Sequence, residues 1–287
     1  EDFDGSIYYL NDYLDRNPYC EVAWHQLGKM YLAKKLYIEA LTAFDFAVIS
    51  DDSFIGAYFE KGKVLEKLGR YNEAIENYES TISIEDPTSY AFLRLGKCHE
   101  KLGNFDLAKY YYYHTVHEDP LLDKGWLAIT DFHFGQKNYE KALYYINKAI
   151  NIDGENPKYW KKSGKIYAAL KNWDEADFAY KQAVDLGNYE LSTWKNWAEV
   201  LNKIGDYNSA IQVLIQGLEF YPDNCELTYK LAGLHLKNDD LAESKQILSK
   251  AMKLDIGKLR QFEKEFPEFT EVDWVKALVS KIRKTAK

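Results

Sequence analysis

The sequence predicts an all-α fold, a solenoid built from repeated pairs of helices. One pattern of 34 residues occurs seven times in succession without an insertion. Units of this size cannot bury an apolar face alone, and they form a shared core by stacking on their neighbours. The seven frames start at residues 21, 55, 89, 123, 157, 191 and 225.

Two kinds of column run through the frames, one of large residues and one of small residues. Position 4 is aromatic in six frames: Trp24, Tyr58, Phe92, Trp126, Trp160, Trp194 and, as the exception, Thr228. Position 8 is mostly small: Gly28, Gly62, Gly96, Thr130, Gly164, Ala198 and Ala232. Position 20 is small throughout: Ala40, Ala74, Ala108, Ala142, Ala176, Ala210 and Ser244. Close packing of helices requires small residues opposite large ones, so we expect position 4 to lie against positions 8 and 20.

Each frame contains two groups of apolar residues at helical spacing, as in Trp24, Leu27 and Tyr31 followed by Ala40 and Phe44. Each frame is therefore predicted to form two helices. Position 15 separates the two groups, and it is occupied by Lys35, Gly69, Gly103, Lys137, Lys171, Gly205 and Asp239. Glycine is favoured where the end of a helix requires a positive φ, so we expect the first helix to end there.

These columns resemble those of the tetratricopeptide repeat family. The resemblance covers residues 21–258, with Thr130 at position 8 and Thr228 at position 4 as departures. It implies a right-handed superhelix of antiparallel helix pairs, in which the first helices line a concave groove. It also implies a function in binding peptides or proteins.

The segments outside the seven frames are expected to extend and close the array. Residues 1–20 fit the second half of a truncated preceding repeat. After residue 258 the frame fails, because Glu265 and Phe266 would fall at positions 7 and 8. Residues 259–287 are predicted to form C-terminal capping helices, since Trp274, Val275 and Leu278 begin one apolar stripe.

Composition narrows the classes of partner. The chain of 287 residues has a net charge of −8, which disfavours nucleic acid as a ligand of the whole surface. No apolar run is long enough for a transmembrane helix. The three cysteines have neither metal-binding nor disulfide-framework spacing, and they favour a reducing compartment such as the cytoplasm. The oligomeric state is not predicted.

Sequence motifs of catalysis are missing, so we predict that the chain is not an enzyme and needs no cofactor or metal. It contains no phosphate-binding loop, dinucleotide fingerprint, zinc-protease motif or nucleophile elbow. His114 and His117 are three residues apart on a predicted helix and could share one metal ion. We interpret them instead as solvated or packing side chains.

The resemblance points to positions 2, 5, 9, 12 and 13 as the groove-facing positions of each first helix. In the seven frames these positions carry twelve lysines and five acidic residues. Lysines at position 9 would lie on successive helices, suitably spaced for the carboxylates of an extended peptide; they are Lys29, Lys63, Lys97 and Lys165. Phe59, Leu93 and Leu127 at position 5 are predicted to add an apolar strip beside them. The alternative is that the lysines only solvate the groove and these apolar residues pack between helices.

A second candidate is a cluster in the fifth to seventh frames: Lys158, Lys161, Lys165, Lys195, Asn196 and Lys230. It resembles the carboxylate clamp with which tetratricopeptide co-chaperones grip the acidic tail of heat-shock chaperones. Lys161, Asn196 and Lys230 match that clamp. Lys165 stands where asparagine is needed, and Glu226 stands where lysine is needed and would repel a carboxylate.

The sequence therefore predicts a non-catalytic scaffold that binds a peptide or protein segment, favouring an acidic one, in its concave groove. Two alternatives remain open. The chain could be a structural subunit of a larger assembly that uses its convex and end surfaces. It could also be the regulatory repeat domain of a longer protein.

Overall fold

The computed structural model describes residues 2–84, 88–267 and 272–285. Within these ranges all regular secondary structure is helical. The chain divides into two compact units, Glu1–Gly135 and Gln136–Lys287. The all-α class and the tetratricopeptide helix-pair architecture predicted from the sequence are confirmed.

Unit 1 contains the first eight helices: α1 (Phe3–Arg16), α2 (Glu21–Ala33), α3 (Tyr37–Ser50), α4 (Ile55–Lys67), α5 (Tyr71–Ile84), α6 (Ser89–Lys101), α7 (Phe105–Glu118) and α8 (Asp123–Gly135). Helices α2 and α3, α4 and α5, and α6 and α7 pack as pairs, and each pair packs on the next helix of the chain. Leu27, Phe44, Leu65, Tyr78 and Leu95 are among the fully buried residues of this core.

Unit 2 contains α9 (Tyr139–Ile152), α10 (Pro157–Ala169), α11 (Trp173–Asp185), α12 (Leu191–Ile204), α13 (Tyr207–Phe220), α14 (Cys225–Lys237), α15 (Leu241–Leu254), a 3₁₀ turn (Ile256–Lys258), α16 (Leu259–Glu265) and α17 (Asp273–Thr285). Pairs form between α10 and α11, α12 and α13, and α14 and α15. Residues Leu259, Phe262 and Val275 of the last two helices pack on Tyr229 and Leu248.

Helices begin at all seven starts of the frames, from Glu21 in α2 to Cys225 in α14. The residue at position 15 has a positive φ in every frame, whether it is glycine, as in Gly69 (74°), or not, as in Lys35 (61°). The expected helix end at position 15 is confirmed. The assignment of residues 1–20 to a preceding repeat, 21–258 to seven repeats and 259–287 to a cap remains a prediction.

The packing partner of position 8 differs from the expected one. A Cβ atom added to Gly62 would lie 2.6 Å from the ring of Tyr78, and one added to Gly96 would lie 2.5 Å from the ring of Tyr112. Gly28 and Gly164 meet Phe44 and Tyr180 in the same way, and all four rings are at position 24. In these four repeats the residue at position 8 is therefore glycine because an aromatic ring from the second helix of the same repeat packs against it. The expected packing against the residue at position 4 is not the reason.

His25 predicts a pH dependence of the stability of unit 1. Its ring lies against Phe44 and Phe54, and its buried Nε2 has no hydrogen-bond partner among the described residues. Burial, together with Lys29, lowers the pKa of His25 below its ordinary value of about 6.5. The unfolded chain then binds a proton more readily than the folded chain, so the free energy of unfolding falls as the pH falls below about 6.5.

We expect His25→Asn to reduce this loss of stability between about pH 7 and pH 5 relative to the wild type. Urea denaturation of both proteins at several pH values measures the difference. Equal slopes of unfolding free energy against pH would contradict the assignment to His25.

Candidate peptide-binding groove

The first helices of three successive repeats in unit 1, α4, α6 and α8, form a groove. It encloses about 440 Å³ and is called the unit 1 groove below. Its lining includes Lys63, Glu66, Lys67, Tyr71, Arg94, Lys97, Glu100, Lys101, Tyr112, Ala128 and Asp131. The groove brings together two predicted site residues, Lys63 and Lys97, on neighbouring helices.

Two glutamates of the groove are held by tyrosines of the second helices. The Tyr78 hydroxyl donates to Glu66 Oε1 at 2.5 Å, and the Tyr112 hydroxyl donates to Glu100 Oε2 at 2.5 Å. Burial, reinforced by these carboxylates, raises the pKa of both tyrosines, so the hydroxyls remain donors at physiological pH. Arg94 Nη1 adds a bond of 3.3 Å to Glu66 Oε2. Glu66 therefore has two donors within the protein, and Glu100 has one.

The lysines of the unit 1 groove have fewer partners within the protein than the glutamates have. Lys63 Nζ pairs with Glu60 on its own helix at 2.7 Å. In the part of the chain that the structure describes, Lys67, Lys97 and Lys101 form no ion pair with a carboxylate. Loss of hydration in the groove, together with the charge of Arg94, lowers the pKa of Lys97. An added anion at this point would relieve that unfavourable environment.

The apolar strip is smaller than the sequence suggests. Leu93 is 3% exposed and belongs to the core, so it offers no surface to a ligand. Phe59 is half-buried, with its ring centroid 5.5 Å from that of Tyr78, and Leu127 is also half-buried. Here the packing alternative holds for Leu93, and only Phe59 and Leu127 retain partial exposure.

The second lysine cluster, in unit 2, is largely neutralised by glutamates. Lys161 Nζ lies 2.6 Å from Glu190 Oε2, Lys195 pairs with Glu226, and Lys230 pairs with Glu265. Burial raises the pKa of the Tyr180 hydroxyl, and the nearby Asn196 side chain opposes this rise. Lys158 and Lys165 are exposed on α10, and Lys29 is exposed on α2 of unit 1.

His114 packs against Tyr110 and Phe92, with ring centroids 4.3 and 5.5 Å away. His117 is exposed and lies 3.4 Å from Glu118. No group of three or more metal-binding side chains occurs within the described residues. The three cysteines are free thiols, and burial raises the pKa of Cys98 to about 12.

Sequence reasoning missed Arg94 and the two tyrosines that bind the groove glutamates. The residues at positions 12 and 24 of the frames contained a signal for these two bonds. Glutamate occurs at position 12 only as Glu66 and Glu100, and both frames carry tyrosine at position 24. The first frame combines Phe44 at position 24 with Leu32 at position 12.

Comparison with known proteins identifies the family. The family model described as cilia and flagella-associated protein 70 C-terminal domain matches residues 52–265, about three quarters of the chain. The chain belongs to the cilia and flagella-associated protein 70 C-terminal domain family. No curated protein sequence matches this member of the family.

Solved structures similar to this member of the cilia and flagella-associated protein 70 C-terminal domain family share its fold. The C-terminal part of a tetratricopeptide repeat-containing protein from Cytophaga hutchinsonii is 20% identical with a TM-score of 0.66, covering 81% of this chain and 96% of that chain. A chain of the Cut9–Hcn1 hetero-tetramer is 22% identical with a TM-score of 0.63, covering 81% of this chain and 46% of that chain. Yeast Tom70 is 15% identical with a TM-score of 0.60, covering 98% of this chain and 62% of that chain.

The chain thus spans less than half of the Cut9–Hcn1 chain it matches. Tetratricopeptide scaffolds such as this family generally mediate protein–protein interactions and are generally non-catalytic. None of the described helices combines the length and the apolar character needed to cross a lipid bilayer.

Proposed function

We propose that this chain is a non-catalytic interaction module that binds an acidic protein segment in the unit 1 groove. The observation that carries the proposal is the state of the groove charges. Glu66 and Glu100 are occupied by tyrosine hydroxyls, whereas Lys67, Lys97 and Lys101 have no carboxylate partner among the described residues. The described lining carries five basic residues, Lys63, Lys67, Arg94, Lys97 and Lys101, against three carboxylates, Glu66, Glu100 and Asp131, and this excess of positive charge favours an acidic ligand.

The arrangement of the lysines favours an extended segment over a single anion. Lys67 and Lys101 both lie at the last residue of a first helix, one on α4 and the other on α6. Lys97 lies one turn earlier on α6. Carboxylates spaced along one extended peptide would meet these cations in turn through charge-assisted hydrogen bonds.

The unit 2 cluster is a weaker candidate for the same ligand. Lys161, Lys195 and Lys230 would each have to exchange an internal glutamate for a ligand carboxylate. Such an exchange replaces one ion pair by another and provides little net binding energy. We therefore place the acidic segment in unit 1. Free thiols fit a reducing compartment, and we propose the cytoplasm.

Selection from a displayed library of random peptides against the purified chain tests the proposal. We expect enriched peptides to carry two or more acidic residues and to bind more weakly as salt rises from about 0.05 to 0.5 M, because added ions screen exposed charges. Enriched peptides without acidic residues, or affinity indifferent to salt, would contradict it.

A second function, as a structural subunit of an assembly, is favoured by apolar side chains on the outer surface of unit 1. Tyr8 and Tyr9 are 70% and 72% exposed, and Ile49 is 73% exposed. The rings of Tyr8 and Tyr9 contact each other, with centroids 5.8 Å apart, and an exposed aromatic pair of this kind suits a protein interface. Sedimentation of the isolated chain distinguishes the two functions, since assembly through this face gives a mass above that of the monomer.

A further inference from the structure

The groove-facing surface of unit 2 contains a pocket that the repeat pattern does not predict. Position 9 carries lysine in four frames, but in the seventh frame it is Gly233 on α14. The missing side chain leaves room for the ring of Phe266. A Cβ atom at residue 233 would lie 2.4 Å from Phe266 Cζ, and Phe266 is 2% exposed.

The chain makes a specific turn to place this ring. Helix α16 begins like another first helix of a repeat, but it ends after seven residues at Glu265, whereas α14 has thirteen. Phe266 leaves the helical conformation, with φ −128° and ψ 64°, while its N–H still donates to the Phe262 carbonyl at 2.8 Å. Lys237 Nζ lies 5.4 Å from the centroid of the Phe266 ring, within the range of a cation–π contact.

The residue before Phe266 is bound as an anion. Glu265 pairs with Lys230, a residue that is only 8% exposed. One turn earlier, Gln261 Nε2 donates to Glu226 Oε1 at 3.3 Å, and Glu226 in turn pairs with Lys195. Although burial opposes ionisation, the bonds from Lys195 keep the pKa of Glu226 below its ordinary value. An acidic residue followed by an aromatic residue is thus held by two lysines and a glycine pocket.

The ion pair between Lys230 and Glu265 goes beyond the apolar contacts that close the end of the core. Phe266 belongs with Leu259, Phe262 and Val275 to one core that covers Tyr229 and Leu248 at the end of the last repeat. A lysine–glutamate pair removed from water contributes little net stability compared with apolar side chains of the same volume. The buried Lys230 instead selects an acidic residue as its partner, because a neutral residue opposite Lys230 would leave a buried charge unpaired.

We propose that Lys230, Gly233 and Lys237 form a recognition site for an acidic residue followed by an aromatic residue. In this structure the site is filled by the chain's own Glu265 and Phe266. A partner segment with the same dipeptide binds only by displacing residues 265 and 266. The site lies wholly within unit 2 and does not depend on the function proposed for the unit 1 groove.

A labelled peptide tests this site in the full chain. The probe is fluorescein-labelled Gln-Phe-Glu-Lys-Glu-Phe-Pro, the sequence of residues 261–267, followed by fluorescence anisotropy. The double variant Glu265→Gln, Phe266→Ala empties the site. We expect it to bind the probe at least about tenfold more tightly than the wild type, because the tethered segment no longer competes at high effective concentration.

Two controls make the test specific. A probe with alanine in place of its second phenylalanine should lose the binding, and adding Gly233→Val to the double variant should do the same. A double variant that keeps its helical circular dichroism but binds the probe no better than the wild type would overturn the proposal. If the double variant loses helix content, the single variant Glu265→Gln replaces it in the test. The proposal is then overturned if this single variant binds the probe no more tightly than the wild type does.

Discussion

Gly96→Ala should destabilise the chain by about 2–3 kcal/mol, a large effect for the addition of one methyl group. The new Cβ would lie 2.5 Å from Cδ1 and 2.6 Å from Cε1 of Tyr112. This ring cannot move aside, because Tyr112 is 1% exposed and its hydroxyl is held by Glu100. Urea denaturation measures the loss as a lower midpoint with an unchanged slope.

The repeats themselves provide the compensating change. Where position 8 is alanine, at Ala198 and Ala232, position 24 is leucine, at Leu214 and Leu248. We therefore expect Tyr112→Leu to recover part of the stability lost in Gly96→Ala, with a coupling of about 1–2 kcal/mol in a double-mutant cycle.

The matched control for Gly96→Ala is Gly135→Ala. Gly135 also lies in a first helix of unit 1, and an added Cβ atom would meet no atom within 4 Å. This variant should be neutral or slightly stabilising, by up to about 1 kcal/mol. Equal losses in both variants would show that helix propensity, and not the Tyr112 ring, determines the effect.

Reversing two groove charges should have the largest effect on binding. We expect Lys97→Glu with Lys101→Glu to weaken binding of a selected acidic peptide by at least about 100-fold, since each charge-assisted hydrogen bond contributes about 1.5–3 kcal/mol. Isothermal titration calorimetry against the same peptide measures the change. The free energy of unfolding should change by less than about 1 kcal/mol, because neither lysine forms an ion pair with a carboxylate of the described residues.

Lys35→Glu with Lys109→Glu is the matched control, because it alters the net charge equally at exposed residues outside the groove lining. It should weaken the same peptide only slightly, through long-range attraction that salt screens. A similar loss of affinity in both double variants would show that the peptide binds outside the groove or that its binding depends on the net charge alone.

Much of the fold was predictable because each structural requirement recurs in every repeat. A helix end at position 15 was visible from Gly69, Gly103 and Gly205, and Lys35 adopts the same backbone conformation although lysine gives no such signal. The repeated spacing identified it as an equivalent position. Periodicity thus predicts the backbone even where the residue type does not.

The site was less predictable because a column shows which residues are large, small or charged, but not which ones meet. The residues at positions 4 and 24 are both large, and the sequence pattern wrongly favoured position 4 as the packing partner of Gly96. Leu93 occupies the same position as the half-buried Phe59 and Leu127 but is only 3% exposed, and the column does not separate these three residues. Glu265 and Phe266 lie beyond the last frame, where no repeat provides a comparison.

The bonds from Tyr78 to Glu66 and from Tyr112 to Glu100 join the interior of the second and third repeats to the unit 1 groove. A change from tyrosine to phenylalanine at position 24 would preserve the packing against glycine and yet release a carboxylate to solvent. The electrostatic character of the unit 1 groove can therefore change through a mostly buried residue at position 24, and a comparison of charged surface residues alone would overlook such a change.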